Sequence, residues 1–410
     1  LHLSLRRQRQ MCIRDRTNTY ISILLLSICF SLSASTSSLS VSASSIVGFQ
    51  IAENKALATF PLTFHLLGTM LAGIPASMLM KFIGRRYGFL IGTGIGTFGA
   101  ASASLAIIYS SFPFFCLSIF CLGVLNGFAQ LYRFTAVEVS SIELRTKAVS
   151  YVMLGGIAAG FIGPAIAAEG KDYIENAQFA GSYLSIILLY FFIVIILMRI
   201  RLPQPSVEEQ TGDTRPLKVI FMQPKFIVSV LSAMIGYGVM AMIMTATPLA
   251  MTKGNGYPFS DAAFIIQWHA LGMFAPSFIT GSLIKRFGAV QIIFTGILLN
   301  FICIAINISG TELINYWSAL VLLGVGWNFM FVAGTTMVTE TYQPAEKAIV
   351  QGVNDFLVFG TAALCSLLSG VLQTSFGWET VNLSTIPLLL IVLVSLFWFF
   401  LSIKQETKSA

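Results

Sequence analysis

Apolar stretches of bilayer-crossing length recur twelve times along the chain, at approximately 20–49, 57–80, 87–109, 112–137, 147–168, 179–199, 226–250, 262–284, 289–309, 314–338, 348–374 and 381–403. Each reaches the roughly 20 residues a helix needs to cross the hydrocarbon. Six lie on either side of the hydrophilic stretch 200–225, where RLPQPSVEEQTGDTRPLKV mixes Pro, Gly and charge in the manner of a linker. The expected fold is therefore an all-α membrane protein of twelve transmembrane helices in two six-helix bundles. Its segments are a tail 1–17, an N-terminal bundle 18–200, a central loop 201–225, a C-terminal bundle 226–403 and a tail 404–410. Composition agrees, with 56% hydrophobic and 10% charged residues against about 25% charged in soluble domains.

The two halves echo each other. At an offset of 204 positions His65 falls on His269, Leu67 on Leu271, Gly68 on Gly272, Leu79 on Leu283, Lys81 on Lys285, Gly84 on Gly288 and Gly92 on Gly296. A second match, offset by 201, pairs Leu122-Gly123-Val124 with Leu323-Gly324-Val325 and Phe128 with Phe329. A repeat of half the chain length means a duplication. Six crossings per half is an even number, so both halves enter the membrane in one orientation and are related by an axis along its normal.

Charge placement sets the expected orientation. With both termini cytoplasmic, 21 of the 24 Lys and Arg residues fall on inner segments, leaving Lys55, Lys171 and Lys253 outside. This is the positive-inside pattern, and it points to the bacterial inner membrane. The net charge of +7 is spread over separate inner loops, which gives no nucleic-acid surface. The six cysteines (Cys12, Cys29, Cys116, Cys121, Cys303, Cys365) lack metal-ligand spacing and read as reduced packing residues. The opening LHLSLRRQRQMCIRDR has no apolar signal core or cleavage site; it resembles adapter read-through and is expected to be foreign to the fold.

The first inner hairpin reads Ser77-Met-Leu-Met-Lys-Phe-Ile-Gly84-Arg85-Arg86, and its counterpart Gly281-Ser-Leu-Ile-Lys-Arg-Phe-Gly288. Together with the twelve spans, these hairpins resemble the major facilitator superfamily over residues 18–403. The family's signature between spans two and three has the form G-x-L-x-D-R-x-G-R-R. Gly84, Arg85 and Arg86 match it in the first copy, and Gly281, Leu283, Arg286 and Gly288 in the second. The resemblance implies a cytoplasmic gate built from Lys81, Gly84, Arg85, Arg86, Lys285, Arg286 and Gly288. Lys81 and Lys285 stand where the family carries an acid, so Lys81, or a neighbour, is expected to pair with Glu346 or Asp355 at the start of span eleven in one gating state; a solvated hairpin lysine is the other reading.

Ionisable residues at membrane depth are functional candidates because their burial is costly. Asn126, Gln130 and Arg133 stand at i, i+4 and i+7, one polar stripe on span four. Snorkelling, or an ion pair with Glu138, is the structural alternative to a cavity role for Arg133. In the resembled family spans one, four, seven and ten face the cavity. That adds Tyr237, Met244 and Thr245 of span seven and Trp327 and Asn328 of span ten to the expected substrate site, with Gln267 and Trp268 beside His269. His65, His269, Asp355 and Glu138 are the coupling candidates; a neutral helix–helix contact is the other reading of the histidines. Span one holds nine serines in residues 31–45, suited to close packing or to a wet cavity. Span five carries Gly163-Pro164, which partly resembles an antiporter motif.

No phosphate-binding Gly-rich Lys-Ser/Thr loop occurs, and no His-x-x-x-His or nucleophile–base pair suggests an enzyme. The expected function is a secondary transporter moving a small organic solute by alternating access, with proton or sodium as coupling ion, no cofactor, and the bilayer as its surroundings in a monomeric state. Drug or metabolite efflux by antiport is one alternative. Another is vitamin uptake, since MTATPLAM, FIIQWHALGMFAPSFITGSLIKRFG and QGVNDFLVFG resemble a bacterial subgroup associated with riboflavin uptake. A non-transporting membrane sensor is the rival from another class.

Overall fold

A computed structural model describes residues 19–44, 46–54, 57, 60–200, 202–252, 254–258 and 260–402 in full, and the backbone alone of 2–18, 45, 253, 259 and 403–409. The expectations for the tails 1–17 and 404–410, and for Lys55 and Arg201, lie outside the fully described residues. The described elements are helices: α1 (His2–Ile51), α2 (Phe60–Ile83), α3 (Arg85–Ile108), α4 (Phe112–Glu138), α5 (Ile142–Glu169), α6 (Ala180–Arg199), α7 (Pro224–Thr252), α8 (Ser260–Phe287), α9 (Ala289–Ser309), α10 (Leu313–Val338), α11 (Lys347–Leu383) and α12 (Ile386–Ser409). The final apolar run, Pro344–Ser402, is 59 residues long, about twice one crossing. It breaks at Gly377, where φ is +84°, and turns again at Ser384–Thr385 before α12 begins. Trp378 donates to the carbonyl of Asn307 at 3.2 Å, and Asn307 bonds Asn382 at 2.8 Å, fixing the turn against α9. Twelve crossings result.

The duplication is visible in the packing. α1 lies on α5 as α7 lies on α11; α2 and α3 flank α4 as α8 and α9 flank α10. Apolar side chains gain little by meeting each other rather than lipid, so close backbone approach has to supply the attraction. Glycine permits it. A Cβ on Gly123 would stand 2.0 Å from the His65 carbonyl oxygen, and one on Gly68 2.3 Å from that of Phe120. In the second half the same positions recur: Gly324 would meet the His269 oxygen at 2.7 Å, and Gly272 that of Val321 at 2.7 Å.

The serines of α1 serve the same end. Gly155 and Gly163 of α5 lie against the Ser27 and Ser35 carbonyls, while Thr36 bonds Tyr190 at 2.8 Å and Ser44 bonds Tyr183 at 2.9 Å on α6. Of the two readings of the serine-rich span, helix packing accounts for these residues.

The halves meet along two seams, α2 with α11 and α5 with α8, which exchange places under the pseudo-symmetry. Both include close backbone approach. A Cβ on Gly352 would lie 2.8 Å from the Cα of Ile74, and one on Gly281 2.8 Å from the Cα of Lys147. The hairpins turn at Gly84 and Gly288, with φ of +85° and +91°, a region in which a side chain is strained.

Gly123→Val would drive side-chain atoms into the α2 backbone, and overpacking of this kind costs about 1–3 kcal/mol or more. Fluorescence-detected size exclusion should show loss of the monodisperse protein. Gly94→Ala, where an added Cβ meets nothing within 4 Å, should elute as the parent does.

Candidate functional site

A ladder of polar groups runs down α4 toward the other half. Thr69 of α2 accepts from the Asn126 amide at 3.2 Å, Gln130 reaches Asn126 at 3.5 Å, and Arg133 donates to the Gln130 side chain at 2.7 Å. Arg133 then crosses between halves to form an ion pair with Asp355 of α11. Both side chains are buried, at 0% and 1% exposure. Asn354 donates to the same carboxylate oxygen at 2.9 Å. The pair is under-satisfied: Asp355 Oδ2, Arg133 Nε and Asn354 Oδ1 are buried without partners.

Aromatic rings close over this pair. The Arg133 guanidinium lies 4.8 Å from the centroids of both Phe134 and Phe331, within cation–π range. Phe331 stacks on Trp327 at 5.0 Å, and Tyr237 meets Trp327, Phe331 and Phe359 edge-on at 5.4, 5.5 and 5.2 Å. Phe274 covers Trp327 from α8 at 5.7 Å. Trp327 is buried, yet its Nε1–H has no acceptor. The arrangement thus offers flat apolar faces beside one cation, one anion and several unused hydrogen-bonding atoms.

Toward the basic hairpins a second charged layer spans the halves. Arg85 of α3 forms a two-point contact with Glu138, at 2.5 and 3.2 Å, and donates to Gln351 of α11 at 2.6 Å. Gln351 in turn bonds the Tyr342 hydroxyl at 2.7 Å. Lys347 sits 3.5 Å from Glu138 and 2.7 Å from Glu209 of the linker. Arg215, also of the linker, grips Glu346 at 2.6 and 2.8 Å and caps the Thr341 carbonyl at 3.0 Å. This carboxylate raises the pKa of Arg215 above its ordinary value through those hydrogen bonds.

In this arrangement Lys81 donates to the Ala345 carbonyl at 3.1 Å, while Arg215 holds Glu346 and Arg133 holds Asp355. Of the two acids weighed for Arg133, Asp355 is the one it meets here, and Arg85 takes Glu138. Other expected residues fall away from the aromatic cluster. Asn328 spends its side chain within the α8–α10 seam, on the Met273 carbonyl, Ser277 and Thr280, each at 2.7 Å. Trp268 is 39% exposed and packs edge-on against Trp317 at 5.5 Å; Gln267 beside it is exposed. Thr245 bonds Ser366 of α11 at 3.2 Å, next to half-buried Met244. His269 Nδ1 donates to the Leu320 carbonyl at 2.8 Å, and His65 Nε2 meets Ser37 at 3.1 Å. Both histidines lie within their own half, beside the Gly123 and Gly324 contacts. Arg86 donates to the Ile200 carbonyl, and Lys285 and Arg286 are exposed.

Lys347, Gln351, Glu209 and Arg215 were not among the expected gate residues. The signal for the linker's part was in the sequence: Ser206-Val-Glu-Glu209 is a capping pattern, and Ser206 caps a short helix, Val207–Thr211, by accepting from Glu209 N at 3.1 Å.

Two linker-joined six-helix bundles around a buried polar centre are the architecture of a membrane carrier, and comparison with known proteins gives the family. The chain belongs to the Major Facilitator Superfamily, whose model matches residues 23–359 and again 230–410. It is 38% identical over 386 residues to the riboflavin transporter RfnT of Brucella anthropi, covering 93% of this chain and 96% of that one. It is 26% identical to the MFS-type transporter YdeG of Bacillus subtilis over 86% of each chain. Among solved structures it resembles the superfamily transporter FucP in the outward conformation, with TM-score 0.75 at 13% identity over 93% of this chain and 99% of that one. It also resembles the proton:xylose symporter XylE, with TM-score 0.76 at 11% identity over 92% and 95%. At such identities these structures speak for the fold alone.

Removing one partner of a buried ion pair strands the other, at a cost of about 3–5 kcal/mol, whereas replacing both is far milder. Arg133→Met should therefore lower the melting temperature of the purified protein markedly. The double variant Arg133→Met with Asp355→Leu should recover most of that loss. A double variant melting as low as the single one would show that the two side chains are not coupled.

Proposed function

We propose that this protein is a secondary transporter for riboflavin or a closely related flat, amphipathic heteroaromatic solute, working by alternating access in the bacterial cytoplasmic membrane. The single observation that carries the cargo class is the Trp327–Phe331–Tyr237 aromatic cluster set against Arg133, supported by the 38% identity to a riboflavin transporter over nearly the whole chain. A flavin ring has apolar faces for such a cluster and an edge of carbonyl and N–H groups for Arg133 Nε, Trp327 Nε1 and Asp355 Oδ2. The cluster is closed on itself in this arrangement, so Tyr237 and Phe274 swing aside to admit the ring.

The basic side, with the hairpins, linker and both termini, is cytoplasmic in this reading. The halves are then sealed on the cytoplasmic side by the two charged layers. The dry, unpartnered Oδ2 of Asp355 makes a proton the better coupling ion. Its arrival neutralises the acid, leaves Arg133 without its counter-charge and favours separation of the halves. Sodium would need several oxygen ligands, and the pair offers one free carboxylate oxygen beside a guanidinium.

Proteoliposomes should take up labelled riboflavin saturably and faster under an inward proton gradient. Stacking of a flat heteroaromatic ring on an aromatic side chain is worth about 1–3 kcal/mol, so Trp327→Ala should raise the apparent KM about tenfold or more. Uptake no greater than in empty liposomes would overturn the cargo reading. For coupling, Asp355→Asn should keep riboflavin exchange down its own gradient and lose acceleration by the proton gradient; acceleration that survives would remove Asp355 from the coupling step.

A further inference from the structure

Between the two halves, on the side of the linker, the charged layer encloses a cavity of about 560 Å³. Its wall is shared: α2, α3, α4 and α5 from one half, Thr339, Tyr342 and Lys347 from the other, and Pro203–Pro205 with Glu209 from the linker. The charge on this wall does not cancel. Arg85 is matched by Glu138 and Lys347 by Glu209, while Glu340 is matched by Lys225 from beyond the wall. Lys81 and Arg145 remain, both lining the cavity and neither with a carboxylate partner among the described residues. Two neutral donors join them. The Ser77 hydroxyl lines the cavity, is 1% exposed and has no hydrogen-bond partner. The Tyr342 hydroxyl accepts from Gln351, which leaves its own proton free to donate. Two cations and two hydroxyl donors around a pocket open to solvent are the chemistry that recognises a phosphate group, through charge-assisted hydrogen bonds.

We propose that this cavity binds a small phosphate-bearing anion from the cytoplasm and that the bound anion holds the carrier closed on that side. The cavity has walls from both halves, so it exists only while the seams are shut. A ligand that binds one arrangement shifts the population toward it by its differential affinity. Transport would slow when the cytoplasmic phosphate ligand is abundant, which is feedback on import. The cytoplasmic placement rests on the orientation given above; the anion site itself does not depend on what the cargo is.

The test uses the full-length protein with inorganic pyrophosphate as probe, against potassium chloride at matched ionic strength. Pyrophosphate should raise the melting temperature saturably. Arg145→Gln, an exposed position outside the aromatic and ion-pair sites, should weaken the apparent affinity about tenfold, Ser77→Ala should weaken it less, and Arg145→Lys should restore most of it. Pyrophosphate sealed on the cytoplasmic face of proteoliposomes should slow uptake by the parent protein. It should leave uptake by Arg145→Gln, normal without the anion, unaffected. An equal shift in parent and Arg145→Gln, or a shift that potassium chloride reproduces, would overturn the site. So would stabilisation by phosphatidylglycerol vesicles with none by pyrophosphate, which would assign these cations to lipid. If riboflavin is not carried, the melting shifts still decide the anion site.

Discussion

The structure turns on one dehydrated contact, the ion pair between Arg133 and Asp355. Two opposite charges buried between helices are costly to remove from water, and their attraction offsets that cost only when they touch. The pair is therefore tolerable while the halves are together and poorly tolerable in any half-open geometry that separates the charges without wetting them. Such a contact disfavours intermediates. In the alternating-access reading proposed above, it would sharpen the passage between a closed seam and a water-filled one. The unused oxygen of Asp355 and the unused Nε of Arg133 leave the contact short of full satisfaction, so it can be exchanged for water, proton or cargo.

Rigidity within each half would let a local change at this contact become a movement of whole bundles. The glycine contacts Gly68–Phe120 and Gly123–His65, and their copies Gly272–Val321 and Gly324–His269, bring backbone against backbone. Backbone cannot yield as a long side chain can. The seams between halves are made differently: small residues near the hairpins, and above all charged and polar groups on exchangeable partners. Stiff interfaces within the halves and exchangeable ones between them confine motion to the latter.

Much of this was legible in the sequence. Twelve apolar runs and the repeated Gly and Lys spacing gave the fold and its symmetry, because membrane crossing imposes a length and duplication leaves a register. The stripe Asn126–Gln130–Arg133 and the acid Asp355 on span eleven stood out as candidates, since few ionisable groups occur at that depth. Pairing was less legible. Whether Arg133 meets Glu138 or Asp355 depends on which helix faces α4 across the molecular axis, and sequence spacing along one helix carries no information about that. The same limit hid Asn328, whose place on span ten suggested the cavity although its face of the helix is turned into the α8 seam. The histidine echo, the most conspicuous repeat, lies beside the glycine contacts in both halves.

The linker has a consequence of its own. Glu209 and Arg215 hold Lys347 and Glu346 of one half, while Gln210 reaches the Phe82 carbonyl of the other at 3.3 Å. The segment that joins the bundles covalently is also a party to their closure. Its groups cannot diffuse away when the seam opens, so re-closure is an intramolecular encounter at high effective concentration. Shortening or stiffening this stretch would then change how long each open episode lasts, with no alteration to the cargo site. In the transport cycle proposed above, the tether would set the carrier's timing as well as join its halves.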